Sequence, residues 1–154
     1  DAVKGNPYVD SVKNCILDEN AEILFLAVSI EADINELDSF EERKMFLNDI
    51  GLNEPGSSKL IRSTYSLLNL QTFFTAGEKE VRAWTIPVGS TAPKAAGVIH
   101  TDFEKGFIRA EVISIEDLVR LGSELKVKEA GKVRVEGKDY VLKEGDVLHF
   151  RFNV

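Results

Sequence analysis

An α+β fold in two parts follows from three observations on the 154-residue sequence. The first half carries helix signals around one uninterrupted apolar run. The second half alternates short β-rich segments, Gly-containing turns and brief helical stretches. The charge divides the chain in the same way. Of the net −7, residues 1–70 hold six Lys/Arg against thirteen Asp/Glu, and residues 71–154 hold thirteen of each. Such an asymmetry points to two units with different neighbours.

In the first half, Asn6-Pro7 starts a helix. Asn caps, and Pro suits the first helical position because its missing N–H had no partner there. Tyr8, Val9, Val12, Cys15 and Ile16 fall on one face of it. Ile23–Val28 is a continuous apolar run and is expected to be a strand covered on both faces, as in a parallel α/β sheet. Ser39 with Glu42 makes a capping box. It opens a helix with Phe40, Phe46, Leu47 and Ile50 inward and Gly51 at its end. Pro55-Gly56-Ser57 starts another, with Leu60, Ile61, Thr64, Tyr65 and Leu68 as its stripe. A doubly covered strand needs strand neighbours for its N–H and C=O groups, and this half offers no second one. Residues 1–70 are therefore expected to be the last βα units of an α/β domain whose other strands lie upstream. A chain opening on Asp1 agrees with a piece of something longer.

In the second half, Gln71–Thr75 and Val81–Ile86 read as strands around the turn Ala76-Gly77-Glu78-Lys79. Thr91-Ala92-Pro93 starts a short helix through Ile99. Phe107–Ile113 is a strand, Ser114 caps a further helix, and Lys132–Val135, Tyr140–Leu142 and Val147–Phe152 are strands. Hairpin, helix, then strands of mixed order make a small roll of β-grasp type.

Composition narrows the function classes. With 44% hydrophobic and 29% charged residues the chain is of soluble globular type. No apolar run approaches the ~20 residues a membrane-spanning helix requires. The single Cys15 excludes an internal disulfide and fits a reducing compartment. Two histidines and that cysteine do not make a zinc site. Neither half is a cationic patch that would grip nucleic acid by phosphate neutralisation alone, so any RNA contact would be local or shared with protein.

The stretches 68–77 (LNLQTFFTAG) and 80–89 (EVRAWTIPVG) resemble the start of a TGS domain. Residues 92–110 (APKAAGVIHTDFEKGFIRA) closely resemble that domain in the YchF family, bacterial relatives of the Obg-like ATPases. The ending GDVLHFRFNV, 145–154, is similar to that family's C-terminus. The resemblance implies a β-grasp, ubiquitin-like TGS domain at 71–154, preceded at 1–70 by the C-terminal remnant of an α/β P-loop NTPase domain. It further implies a cytoplasmic, ribosome-associated parent that binds ATP or GTP with Mg²⁺. The parent would contact the large subunit or RNA, and its TGS domain would supply a binding face.

The family's chemistry rests on a Gly-rich phosphate loop, a Mg²⁺-holding Thr and Asp, and an Asn-x-x-Glu base-reading motif. The Gly-x-x-x-x-Gly-Lys-[Ser/Thr] pattern does not occur in this sequence. Without such N–H groups around the phosphates, phosphoryl transfer lacks its electrostatic stabilisation. The chain by itself is therefore expected to be inactive, with no catalytic residue, metal ligand or cofactor of its own. The resemblance leaves one nucleotide element, Ala27-Val28-Ser29, at the place of the family class's Ser-Ala-Lys-type base loop. Ala27 stands where that motif has Ser, and no lysine follows. A contact made by backbone N–H tolerates both changes. The rival reading is a nucleotide-independent module for RNA or protein, with residues 1–70 as a helical extension.

His100 and Asp102 could form a base and its orienting carboxylate. No nucleophile accompanies them, since Cys15 lies on the first helix, where it is expected to pack. Thr101 and Asp102 are expected to make turn or capping bonds instead. Trp84, Phe73, Phe74, Phe103 and Phe107 could stack bases, but their alternation with polar residues favours a core. Arg82 and Arg109 are expected to point away from that aromatic face. With Lys79, Lys105, Lys132, Arg134 and Lys138 they are the candidates for an RNA or ribosome contact.

Overall fold

The computed structural model describes residues 5–16, 21–77 and 80–153. The chain divides into two compact units, Asp1–Leu67 and Leu68–Val154.

The first unit consists of helices α1 (Pro7–Cys15), α2 (Val28–Glu36), α3 (Phe40–Asp49) and α4 (Gly56–Leu67). The Asn6 side chain accepts from the Val9 N–H at 2.9 Å, as a helix-starting Asn should. Ser39 and Glu42 complete both halves of the capping box. The apolar run departs from expectation. Residues 21–27 form no strand, and the chain enters α2 at Val28. No other strand occurs among the described residues of this unit, so an extended 23–28 would leave its backbone groups without partners. The strand expected at Ile23–Val28 is corrected accordingly: the described elements of this unit are all helices.

The expected helix faces are also less buried than their periodicity suggests. Among α1 residues only Val9 is buried, while Tyr8, Val12 and Cys15 are exposed. In α3 Leu47 is buried but Phe40 and Ile50 are exposed, and α4 buries no residue. Amphipathic spacing fixes which side chains share a face, not whether anything covers it. What positions α4 is polar. Glu31 of α2 accepts from the Gly56 N–H at 2.6 Å and the Ser57 N–H at 3.3 Å, taking up donors that α4 leaves open at its first turn. Gly56 permits that approach, because a Cβ there would lie 2.8 Å from the carboxylate and 2.5 Å from Leu26.

The second unit is a five-stranded sheet with four short helices. Its elements are β1 (Leu70–Ala76), β2 (Val81–Pro87), α5 (Ala92–Ile99), α6 (Thr101–Lys105), β3 (Phe107–Ser114), α7 (Ile115–Leu121), α8 (Glu124–Glu129), β4 (Arg134–Glu136) and β5 (Asp146–Phe152). The strand order is β2-β1-β5-β3-β4. The first strand and the last meet in the middle as the sheet's parallel pair, at Phe74 opposite Val147, and the other neighbours run antiparallel. Tyr140–Leu142 is not a strand: it contributes a single bridge, Val141 to Thr91. The helices α6 and α8 have no expected counterpart, since five or six residues carry too little periodicity to register.

The core lies on both sides of this sheet. On one side Ala92, Ala95 and Ala96 of α5 pack on Phe73, Ile86, Ala110, Val112 and Leu148. Alanine on the helix face lets its backbone come close to the large sheet side chains. On the other side Ile113, Val127 and Val147 form a smaller cluster with Phe74, Leu118 and Val133. Gly106 sits where a Cβ would collide with the Asn153 carbonyl, and the Asn153 N–H donates back to Gly106 at 2.9 Å. Gly106→Ala should therefore part β3 from the end of β5. A loss of about 2 kcal/mol or more, seen as a Tm drop of roughly 10 °C, is the expected outcome by thermal unfolding.

Candidate binding face and nucleotide-side loop

Ala27 is the N-cap residue of α2, with φ −95° and ψ 87°, and its side chain makes no capping bond. Val28 and Ser29 lie in the first turn of that helix. The expected strand-to-loop exit is thus a coil-to-helix entry. Ala27 lines a cavity of about 590 Å³ with Phe25, Ile30, Glu31, Gly51 and Lys59. The first-turn N–H groups of a helix have no partner within it.

The seven cationic candidates separate by surroundings. Lys79 lies outside the described residues. Lys105, Arg109, Lys132 and Lys138 are exposed. Arg82 differs from expectation: its guanidinium lies 4.1 Å from the Trp84 ring centroid, on the same side of β2. Residues two apart on a strand share a face, so Arg82 belongs to the aromatic side. Arg134 is occupied internally. It reaches Tyr140 at 3.0 Å, Glu136 at 3.2 Å and Asp146 at 3.3 Å.

Asp146 is the hub of that network, buried at 2% exposure. It accepts from the Tyr140 hydroxyl at 2.7 Å and from the Lys143 N–H at 2.9 Å. Burial pushes the Tyr140 phenol above its ordinary pKa, and the bond to Asp146 adds to this. Burial works against the Arg134 charge, yet the Tyr140 bond and the nearby acidic groups hold its pKa above the usual value.

The histidines do structural work. His100 is the N-cap of α6 and its Nδ1 accepts from the Asp102 N–H at 3.1 Å. The cap is therefore His100 itself rather than Thr101 or Asp102. Its ring tilts against Phe103. Cys15 is exposed on α1 of the other unit, not packed. His149 meets both oxygens of Glu124 at 3.2 Å, tying α8 to β5. That pair spans 25 positions, and no local sequence signal announces it.

The aromatic residues take the core role expected of them. Phe73 and Phe107 are buried, Trp84 and Phe103 pack on them, and Phe74 joins the second cluster. The Trp84 Nε1–H donates to Thr75 Oγ1 at 2.9 Å.

On the sheet's other side Arg151 grips Glu111 through Nε at 3.1 Å and a second nitrogen at 3.4 Å. This bond holds the Glu111 carboxyl below its usual pKa, against the opposing effect of burial. A carboxyl with a lowered folded-state pKa stabilises the fold at pH above its unfolded value. That contribution disappears as pH falls through the folded value. Arg151→Gln should accordingly flatten the fall of Tm between roughly pH 5 and pH 3, measured by thermal melts across that range.

Comparison with known proteins completes the picture. The family model YchF-GTPase_C, described as "Protein of unknown function (DUF933)", matches residues 70–153. Two curated relatives, each named Ribosome-binding ATPase YchF, come from Haemophilus influenzae and Bacillus subtilis. The first is 58% identical over 154 residues, the whole of this chain and 42% of the relative. The second is 53% identical over 150 residues, 97% of this chain and 41% of the relative. The solved structure of the Schizosaccharomyces pombe YchF GTPase superposes with a TM-score of 0.79 at 36% identity, over 96% of this chain and 39% of that one. The chain thus spans less than half the length of these relatives. With a family model on its sheet-bearing unit and high identity along its full length, the chain belongs to the YchF family.

Proposed function

We propose that this chain is the C-terminal part of a YchF-like P-loop nucleotide hydrolase, with residues 1–70 closing the NTPase domain and 71–154 forming its TGS domain. The observation that carries the reading is 58% identity over the whole chain to a protein named as a ribosome-binding ATPase. The sheet order β2-β1-β5-β3-β4 with a parallel first–last pair supports a β-grasp assignment for the TGS domain. On this reading the parent binds ATP or GTP with Mg²⁺ in the cytoplasm, and its nucleotide state governs a ribosome-linked contact. Ala27, Val28 and Ser29 would present backbone N–H groups to the purine edge.

The TGS domain would supply the contact surface. Lys105, Arg109, Lys132 and Lys138 are exposed and suit rRNA phosphates. Arg134, held by Asp146 and Tyr140, suits a structural role instead.

The test is pelleting of the chain with purified ribosomes over a salt series. Reversing Lys105, Arg109, Lys132 and Lys138 to Glu should weaken association at least about tenfold and flatten its salt dependence. Unchanged pelleting by that variant would remove these residues from the contact. In parallel, the chain alone should bind Mg·ATP and Mg·GTP far more weakly than a protein carrying a phosphate loop. Tight Mg²⁺-dependent binding in a calorimetric titration would overturn the division of labour proposed here.

A further inference from the structure

The parallel pairing at the centre of the sheet stops early. β1 continues to Ala76 and β5 to Phe152, yet their ladder holds only the bridge Phe74–Val147. On its other side β5 stays paired with β3 as far as Phe152 opposite Phe107. The direction of the β5 backbone groups beyond Val147 follows from alternation. The Ile115 N–H donates to Gly145, and Ser114 faces Asp146 in the adjoining register. In an antiparallel ladder bonded pairs then recur at every second residue, at Val147, His149 and Arg151. The N–H and C=O groups of Phe150 and Phe152 therefore point the opposite way, to the side of β1, whose strand ends at Ala76.

Among the described residues no strand pairs with this edge, and it borders a cleft of about 560 Å³. Trp84, Ile99, Phe103, Leu148 and Phe150 give it apolar walls, with Thr75 and Ala76 on the β1 side. Its charged neighbours are already paired. Arg151 is held by Glu111, His149 by Glu124, and Arg82 lies on Trp84 with Glu80 at 3.9 Å. The complement of such a cleft is uncharged. A nucleic-acid strand would bring phosphates to a place without an uncommitted cation among its described lining residues. An extended polypeptide would bring backbone donors and acceptors at strand spacing and an apolar side chain for the walls.

We propose that the cleft is a docking slot for an uncharged extended peptide segment carrying a large apolar side chain, which adds as a short strand to the open edge of β5 at Phe150–Phe152. This goes beyond the cationic ribosome contact above and uses different residues. Three paired residues would span about 10 Å. The strand direction that suits the slot is antiparallel to β5 or parallel to it according to which groups pair, and both use the same Phe150 and Phe152 amides.

The experiment uses the whole chain and its sole tryptophan, Trp84, on the cleft wall. The probe is acetyl-Ser-Thr-Phe-Thr-Leu-Ser-amide, with two copies N-methylated at one or the other set of alternate backbone nitrogens and a ten-residue oligouridylate as comparisons. The unmodified peptide should change Trp84 emission saturably and slow hydrogen exchange of the Phe150 and Phe152 amides at least tenfold. N-methylation on the pairing edge should weaken binding at least tenfold, and oligouridylate should not compete. Absence of a saturable response, equal affinity for the N-methylated copies of both alternations, or unaltered exchange at Phe150 and Phe152 would overturn the proposal. Competition by oligouridylate would assign the cleft to RNA instead. Each result leaves the ribosome-pelleting test of the cationic surface standing on its own.

Discussion

The meeting of β1 with β5 is the constraint on which the second unit depends. It brings positions more than seventy residues apart into register, and the fold closes around that contact. Three bonds secure the junction: Gly145 N–H to Thr72 at 2.9 Å, Thr72 N–H to Glu144 at 2.8 Å, and the buried Gln71 amide to Leu142 at 3.1 Å. Closing so long a loop costs conformational entropy that grows only slowly with length. The buried faces of Phe73, Val147 and Leu148 offset it through apolar area removed from water. Once the two strands meet, β2 and β3 attach to their outer sides, and each sheet face has a defined set of side chains for the helices to cover.

Polar groups then fix what apolar packing leaves loose. Asp146 begins β5 and is satisfied by Tyr140, Lys143 and Arg134, so the incoming 140–145 segment is held to the strand it precedes. A buried carboxylate without these partners would be strongly unfavourable. The same logic recurs at a smaller scale in the first unit, where Glu31 holds the start of α4. It recurs again at His149 and Glu124, between β5 and α8. In each case a residue on one element supplies a donor or acceptor that another element cannot find within itself.

The sequence made some of this legible and left other parts hidden, for physical reasons. Local signals are legible: the Asn6-Pro7 start, the Ser39–Glu42 box, the Gly77 hairpin and the Ser114 cap all depend on groups within a few residues. The run Ile23–Val28 misleads because apolar continuity reports burial potential, while a strand also needs a neighbour. The short helix α6 stayed hidden because its cap is a histidine, outside the usual capping residues. Arg134 looked like its fellow surface cations, since the twelve-residue step to Asp146 leaves no periodic trace. The candidate loop at Ala27 could be placed by resemblance, but its entry into a helix required the structure.

Leu68–Val154 carries its own core, and on the proposed function it carries its own contact surface. Urea unfolding of isolated residues 68–154, followed by pelleting with ribosomes, tests this most directly. One cooperative transition is expected at nearly the midpoint that the same sheet shows in the whole chain, with ribosome association retained. A non-cooperative, early transition would contradict it, as would a folded unit that no longer pellets.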